Sequence, residues 1–216
     1  MNNSYFSKIG ERVEVAARYV KKCNTLLDVG CGDGVIALFL KRRVSKIYGI
    51  DKSERIMKIA KRRGMFVQRI DLDKEKLPFS NSYFDFVTCL DVVEHVRDPH
   101  VLIREIYRVL KKGGTLIITA PNIRFSDHLV RLILNGHFPI TSEDKSAYDG
   151  GHIHYFTFSD LRDILQSEGF RVVKEEGIIN KPKRGIRGKI GEIIMGKKFM
   201  REFRSPGILI VAQKPK

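Results

Sequence analysis

Short apolar runs alternate with amphipathic stretches along the first 120 residues of the chain. The apolar runs have the length and β-branched content of buried strands, and they cover residues 25–29, 46–50, 66–70, 84–90 and 115–120. The stretches that carry apolar residues at helical spacing cover residues 7–22, 35–43, 53–63 and 99–110. This alternation predicts βαβ units with right-handed crossovers and a mostly parallel sheet covered on both faces.

The second half of the chain has a less regular pattern. It predicts helices over residues 124–134 and 158–168, a polar loop over 135–151, and strands over 170–179 and 207–213. Ser53 and Ser159 stand where a serine side chain caps a helix N-terminus, and residues 111–114 (Lys-Lys-Gly-Gly) have the composition of a helix C-terminus.

Composition indicates one globular α/β domain. The chain has 216 residues, of which 43% are hydrophobic and 30% charged, enough for one sizeable core but not for two full domains. Apolar runs such as residues 35–40 are far shorter than a membrane span of about 20 residues, and the N-terminus lacks a secretory pattern. Cys23, Cys31 and Cys89 are odd in number and lack metal-type spacing, so we expect free thiols in a cytoplasmic protein.

The net charge of +15 indicates possible polyanionic partners. Residues 181–204 hold nine basic and two acidic residues. We interpret this segment as a solvated helix and loop, and a dedicated nucleic-acid or membrane site is the alternative.

In open α/β sheets ligands bind outside the carboxyl ends of the strands. The loop after the first strand reads Asp28-x-Gly30-x-Gly32-x-Gly34, in which glycines permit a tight turn and close approach of a ligand. Asp51 follows the second strand, where a carboxylate can accept hydrogen bonds from both hydroxyls of a ribose. Asp71 and Leu72 follow the third strand and could contact an adenine ring.

A dinucleotide-binding dehydrogenase has a similar order of glycines and acid. Two features argue against that class: the spacing is G-x-G-x-G rather than G-x-G-x-x-G, and Asp28 would repel a pyrophosphate but not an ammonium group.

Together these motifs identify a resemblance to class I S-adenosylmethionine-dependent methyltransferases of the small-molecule, methyltransferase-11-like type. The similar segments are residues 26–34 (Leu-Leu-Asp-Val-Gly-Cys-Gly-Asp-Gly), 48–53, 77–87, 91–96 and 108–114. They follow in unbroken order across about residues 20–122.

The resemblance implies a Rossmann-like, doubly wound sheet of seven strands, mostly parallel, with one antiparallel strand near the C-terminus. It implies S-adenosyl-L-methionine as cofactor, with its ribose on Asp51 and its adenine beside Lys52, Asp71 and Leu72. The methionine end would contact the first loop and the end of the fourth strand, at Asp28, Gly30, Cys31, Gly32 and Leu90. Asp73 could replace Asp71, but Asp71 lies directly at the strand end.

The same resemblance suggests one methyltransferase domain over residues 1–216. Its parts would be an N-terminal helix (1–22), a cofactor-binding core (23–122), a substrate lid (123–157), and C-terminal helices and strands (158–216) that include the basic insertion 181–204.

Three histidines are the candidate general bases. Methyl transfer from a sulfonium needs mainly alignment, but an oxygen nucleophile benefits from a base that titrates near neutral pH. His95, after the fourth strand, is the first candidate, and His152 and His154 follow; a packing role is the alternative for each. The two later histidines with Glu94 are too little evidence for a metal, so no metal site is predicted.

The acceptor predicted is a small or lipid-like molecule methylated on oxygen or nitrogen. The loop after the fourth strand lacks the Asn/Asp-Pro-Pro-aromatic motif of enzymes that methylate nucleobase amino groups or glutamine. An RNA or protein methyltransferase using residues 181–204, and a non-catalytic cofactor-binding or membrane-surface protein, are the alternatives. The sequence leaves the oligomeric state open.

Overall fold

The computed structural model describes residues 3–142, 144–178 and 196–216. Its helices are α1 (Asn3–Ala17), α2 (Val35–Leu40), α3 (Glu54–Arg62), α4 (Pro99–Val109), α5 (Ser126–Asn135), α6 (Phe158–Ser167) and α7 (Lys197–Arg204), with a short 3-10 turn at Tyr148–Gly151. Its strands are β1 (Cys23–Val29), β2 (Val44–Asp51), β3 (Phe66–Arg69), β4 (Phe84–Leu90), β5 (Leu110–Pro121), β6 (Arg171–Ile178) and β7 (Gly207–Gln213).

All seven strands form one sheet in the order β3-β2-β1-β4-β5-β7-β6. The pairs among β1 to β5 are parallel, and β7 runs antiparallel to both of its neighbours, β5 and β6. The predicted fold class is therefore confirmed, including the single antiparallel strand.

The core lies on both faces of the sheet because side chains alternate along each strand. Leu27 of β1 belongs to a cluster with Ile103 of α4 and Leu161 of α6, and all three are fully buried. Its neighbour Leu26 belongs to a second cluster, with Val13 of α1 and Ile36 of α2. Helices thus cover both faces, as the doubly wound prediction required.

The first two helices end earlier than predicted. Helix α1 ends at Ala17 instead of residue 22, and the Arg43 guanidinium donates to the carbonyls of Ala17 and Val20 at 2.8 and 3.1 Å. These bonds satisfy carbonyls that the end of a helix leaves free. Helix α2 ends at Leu40, and β2 begins at Val44.

The prediction that a helix ends over residues 110–114 is wrong: these residues belong to β5, which begins at Leu110. Leu110 pairs with Phe84 of β4, and a bulge follows before the regular register of β5. Gly113 (φ 77°) donates to the carbonyl of Lys214, so the C-terminal segment holds the glycine pair in the sheet.

The predicted capping serines do not cap. Ser53 occupies the N-cap position of α3, but its side chain makes no capping hydrogen bond. Helix α6 is capped by Thr157 instead of Ser159: the Thr157 hydroxyl accepts from the backbone N–H of Asp160 at 3.2 Å, and the Asp160 carboxylate accepts from the backbone N–H of Thr157 at 2.9 Å. This reciprocal pair is a capping box, and it places Phe158 in the core.

The structure covers little of the predicted basic insertion at residues 181–204. Most of the basic insertion lies outside the described residues, which resume at Gly196 and include α7. Within the described part of the chain, no helix has both the length and the apolar content needed to span a bilayer.

Candidate cofactor and acceptor site

The strand order reverses between β1 and β4, so their carboxyl ends open a crevice at this edge of the sheet. Val29 at the end of β1 is in register with Ile50 of β2 and Cys89 of β4. The loops after these three strands contain most of the predicted site residues, and the topology brings them together.

The glycines of the first loop have two different roles. Gly30, Gly32 and Gly34 all have positive φ (68°, 50° and 76°), a conformation that favours glycine. A Cβ at Gly30 would collide with Val92, and one at Gly34 would lie 2.6 Å from Met65 Sδ. A Cβ at Gly32 would meet nothing within 4 Å. The space beside Gly32 is therefore open to a ligand, whereas the other two glycines permit close packing.

Asp51 joins the first loop to the end of β2. Its Oδ2 accepts from the backbone N–H of Gly32 at 2.9 Å, and its Oδ1 accepts from the backbone N–H of Ser53 at 2.8 Å. A carboxylate has about four acceptor positions, so two remain for other donors. This geometry fits a pair of ribose hydroxyls, the role that the sequence predicted.

Asp28 is a buried acid at the centre of the sheet. It is 6% exposed, and its Oδ1 accepts from the Thr88 hydroxyl at 2.7 Å. Burial raises the pKa of Asp28 to about 7; the Thr88 hydrogen bond opposes the rise, and the charges of Asp51 and Asp33 add to it. A cationic group would stabilise the ionised form, so the site fits the ammonium group of the cofactor.

Cys31 and Leu90 flank this position with different exposure. The Cys31 side chain is buried, and a Cβ on Gly49 would lie 2.7 Å from its Sγ, so the thiol points to the strand and away from the open space. Any contact of Cys31 with a cofactor would therefore come from its backbone. Leu90 is half-buried and packs against the core on the helix α1 side of the sheet.

The predicted adenine-binding residues surround the loop after β3. Lys52 is exposed and Leu72 is half-buried. Asp71 forms an ion pair with Lys74 at 3.0 Å, and the hydrogen bond from Lys74 is the main cause that lowers the pKa of this carboxyl. Asp71 is therefore an ionised acceptor at the surface.

The sequence analysis missed Asp91, which follows β4 with a positive φ of 54°. The Thr119 hydroxyl donates to its Oδ1 at 2.9 Å, and Arg12 of α1 forms an ion pair with its Oδ2. A non-glycine residue in this conformation is a mark of functional loops. Its position directly after a strand was a usable signal, but nothing in the sequence identified Arg12.

Glu94, His95 and His152 converge next to this loop. The Glu94 side chain is completely buried, and neither carboxylate oxygen has a hydrogen-bond partner among the described residues. Burial, followed by the charge of Asp91, raises the pKa of Glu94 well above its usual value. His152 Nε2 lies 3.8 Å from Glu94 Oε1, and the two imidazole rings are 4.6 Å apart.

Candidate ligand atoms of these three residues lie within 4.8 Å of one another. An arrangement of one carboxylate and two imidazoles is a known type of metal-binding set. The sequence analysis predicted no metal site, and the absence of a metal at this cluster stays a prediction.

Hydrogen bonds define the tautomers of both histidines. The Thr141 hydroxyl donates to Asp149 Oδ2 at 2.8 Å, so it must accept from His152 Nδ1 at 2.7 Å. His95 Nδ1 lies 3.2 Å from the carbonyl oxygen of Gly151, which can only accept. Each neutral imidazole is therefore protonated on Nδ1, and its Nε2 has a lone pair that can accept a proton.

His95 is the exposed member of the pair and His152 the enclosed one. Burial is the main cause that lowers the pKa of His152, and the neighbouring His95 lowers it further. His154 does not join this cluster: its Nε2 lies 3.2 Å from the carbonyl of Arg97, and its ring is near Phe156.

The fold, together with this site at the carboxyl ends of the parallel strands, defines a class of proteins, the S-adenosylmethionine-dependent methyltransferases. A methyltransferase-domain family model matches residues 1–175. The chain belongs to this family, and it is an enzyme that uses S-adenosyl-L-methionine as methyl donor.

Among sequence relatives, a ubiquinone biosynthesis O-methyltransferase of Nitrosomonas europaea is 30% identical over 188 residues, covering 82% of this chain and 77% of the relative. The enzyme of that name from Coxiella burnetii is 28% identical over 174 residues, covering 76% and 73%.

Solved structures show the same fold. A SAM-dependent methyltransferase from Archaeoglobus fulgidus has a TM-score of 0.67 and 21% identity, covering 99% of this chain and 100% of that one. A possible histamine N-methyltransferase from Thermotoga maritima has a TM-score of 0.66 and 23% identity, covering 97% and 90%.

Proposed function

We propose that this enzyme transfers the methyl group of S-adenosylmethionine to an oxygen atom of a small, lipid-like acceptor that binds next to His95. The observation that carries this proposal is the exposed imidazole of His95, whose bond to Gly151 leaves Nε2 free to accept a proton. The sulfonium cofactor supplies an activated methyl group, so the chain must mainly align the acceptor and exclude water.

In the proposed cofactor site, Asp51 binds the ribose hydroxyls and Asp28 binds the ammonium group. Gly32 provides the open space between them, and the backbones of Gly30 and Cys31 line the turn. Lys52, Asp71 and Leu72 surround the adenine, and Leu90 lies towards the methionine end. These assignments combine the resemblance with the positions described above.

The proposed acid–base step uses His95 as the proton acceptor. Bound S-adenosylmethionine would supply the methyl group, and His95 Nε2 would take the proton that the acceptor hydroxyl loses on methylation. His152 lies against His95, and its depressed pKa keeps it neutral near pH 7, so it does not repel a protonated His95. His152 is the second candidate base, and His154 is the third.

Oxygen is preferred over nitrogen as the acceptor atom because both relatives compared above have O-methyltransferase in their names. Their names also place them in ubiquinone biosynthesis, which supports a hydroxylated, lipid-like acceptor here.

Residues 123–157 act as the acceptor cover in this proposal. Asp149 is 3% exposed and accepts from the backbone N–H groups of Thr141 and Ser142 at 2.6 and 2.7 Å. The backbone N–H groups of Ile153 and His154 both donate to the carbonyl of Glu94. The Asp149 bonds hold the cover together, and the two bonds to Glu94 tie it to the loop after β4. We propose that the cover is part of one domain over residues 1–216.

The alternative acceptors, RNA or protein, have the basic charge of the chain as their support. Nucleic-acid binding by residues 181–204 remains a prediction, with a steep dependence on salt as its signature.

Product analysis tests the proposal. The enzyme is incubated with methyl-labelled S-adenosylmethionine and three acceptor pools: alkyl-chain catechols, the matching aromatic amines, and RNA. We expect label on a hydroxyl oxygen of the catechol pool. Label only in the amines or only in RNA would contradict the proposal, as would no transfer by an enzyme that binds the cofactor normally.

A further inference from the structure

Exposed apolar side chains are concentrated in one segment of the chain. Among the residues that the structure describes, fifteen large hydrophobic side chains are exposed, and eight of them lie between residues 130 and 153. Scattered exposed hydrophobic residues are normal, but a contiguous group marks a surface that binds something.

Helix α5 provides the centre of this group. Val130, Ile133 and Leu134 are 51%, 75% and 75% exposed, and at helical spacing they share one side of the helix. Arg131 and Asn135 lie on the side of the helix opposite Ile133, whereas Asp127, three residues before Val130, borders the apolar side. No residue of α5 is buried. A surface helix usually turns its apolar side to the core, whereas these three apolar side chains of α5 are more than half exposed.

Further along the sequence, the acceptor cover carries more exposed apolar side chains. Phe138, Tyr148 and Ile153 are 45%, 72% and 53% exposed. Ile153 is the residue whose backbone N–H bonds to Glu94. We define the docking surface as Val130, Ile133, Leu134, Phe138, Tyr148 and Ile153. It therefore belongs to the same segment that covers the candidate acceptor site.

Basic charge adjoins the docking surface. Arg124, two residues before α5, pairs with Glu202 of α7, and its guanidinium lies 4.8 Å from the centre of the Phe203 ring. Helix α7 has the sequence KKFMREFR, with four basic residues and one acidic residue. The chain as a whole carries a net charge of +15.

We propose that the docking surface inserts into the headgroup region of an anionic lipid bilayer. An amphipathic helix binds such a boundary through buried apolar area, and neighbouring lysines and arginines add attraction to anionic headgroups. A second copy of the chain is disfavoured as the occupant because a symmetric dimer would bring two equally basic surfaces together. Docking would turn the acceptor cover towards the lipid phase.

Vesicle flotation of the full chain tests this proposal without the acceptor or the cofactor, so its failure is distinct from failure of the proposed function. The vesicles are phosphatidylcholine alone, or phosphatidylcholine with phosphatidylglycerol. We expect binding to the anionic vesicles, less at high salt, and binding about tenfold weaker or worse in the double variant Ile133→Asp/Leu134→Asp. The matched control is Val101→Asp, at a residue 47% exposed on α4, which should bind like wild type.

The uncharged double variant Ile133→Gln/Leu134→Gln replaces the aspartate double variant if the latter unfolds α5. Titration with S-adenosylmethionine checks that each variant is folded. Wild type that binds no vesicles at low salt would overturn the proposal. Unchanged vesicle binding in both double variants would also overturn it, and would assign the interaction to basic charge alone. Self-association that the double variants abolish, without vesicle binding, would identify a second copy as the occupant instead.

Discussion

His152 Nδ1 donates a hydrogen bond to the Thr141 hydroxyl, 2.7 Å away, and the same hydroxyl donates a hydrogen bond to Asp149 Oδ2 at 2.8 Å. The chain of bonds holds one face of a mostly buried imidazole and leaves Nε2 directed at Glu94. Asp149 itself has a φ of 46°. A residue in this conformation is retained where surrounding contacts over-determine it, and here they position a histidine beside the candidate acceptor site.

Thr141→Val should lower the free energy of unfolding by about 1–3 kcal/mol, because it leaves the His152 Nδ1 donor and the Asp149 carboxylate without their shared partner. Urea unfolding measures the change. Thr141→Ser, which restores the hydroxyl, should recover most of the lost stability. If the Thr141→Val and Thr141→Ser variants have equal free energies of unfolding, the hydroxyl does not stabilise this network.

His95→Gln should lower kcat/KM about 100-fold or more, the usual contribution of a general base, and leave cofactor affinity unchanged. Steady-state kinetics and cofactor titration separate the two effects. His100→Gln is the matched control, because His100 is exposed on α4 and pairs with Glu168. Equal activity of the two variants would assign the proton transfer to another group.

Asp28 should make the protein less stable as pH rises. Its folded-state pKa of about 7 lies above the unfolded value near 3.9, so the folded protein holds the proton more tightly. The stabilising contribution is complete below about pH 4 and is lost as pH rises to about 7, with an upper bound of about 4 kcal/mol. Urea unfolding between pH 4 and pH 8 should show the decline in wild type.

The Asp28→Asn variant is the control for this titration, because its amide does not ionise. Its unfolding free energy should lack the Asp28 part of the decline, and its affinity for S-adenosylmethionine should fall. Parallel pH profiles for the two proteins would show that Asp28 is ionised in the folded state throughout this range.

Thr157→Ala should lower the free energy of unfolding by about 1 kcal/mol, the usual cost of removing a helix cap. Ser159→Ala should cost less, because the Ser159 hydroxyl accepts only from Arg162 at 2.8 Å and makes no bond to the helix N-terminus. Thermal unfolding of the two variants compares them directly. A larger loss for Ser159→Ala would show that the capping box contributes little.

Periodicity was sufficient to predict the sheet and its crossovers, because buried parallel strands read as short apolar runs. It could not choose between Thr157 and Ser159, since both are good capping residues two positions apart and the backbone decides between them. Nor could it detect that β5 begins at Leu110, because that start depends on pairing with Phe84 across the sheet.

Some residues of the candidate site could likewise be predicted from the sequence, and others could not. Asp28 and Asp51 lie at the carboxyl ends of β1 and β2, and Gly32 lies in the loop after β1. This spacing is readable in the sequence, so the sequence alone predicted that the three residues lie at one edge of the sheet. The approach of His152 to Glu94 and His95 depends on how residues 144–154 fold back over the loop after β4, and no local pattern encodes that path. His154 shares the alternation of His152, yet it bonds to Arg97.

The central claim is that the Asp51 carboxylate binds S-adenosylmethionine, and calorimetric titration with the cofactor tests it most directly. We expect Asp51→Ala to bind at least about tenfold more weakly than wild type, because two hydrogen bonds to a charged acceptor are lost. Asp51→Asn, which keeps an acceptor oxygen for Gly32, should bind with intermediate affinity. Asp163→Ala, at an α6 side chain 71% exposed, should bind like wild type. Unchanged affinity in a folded Asp51→Ala variant would contradict the account.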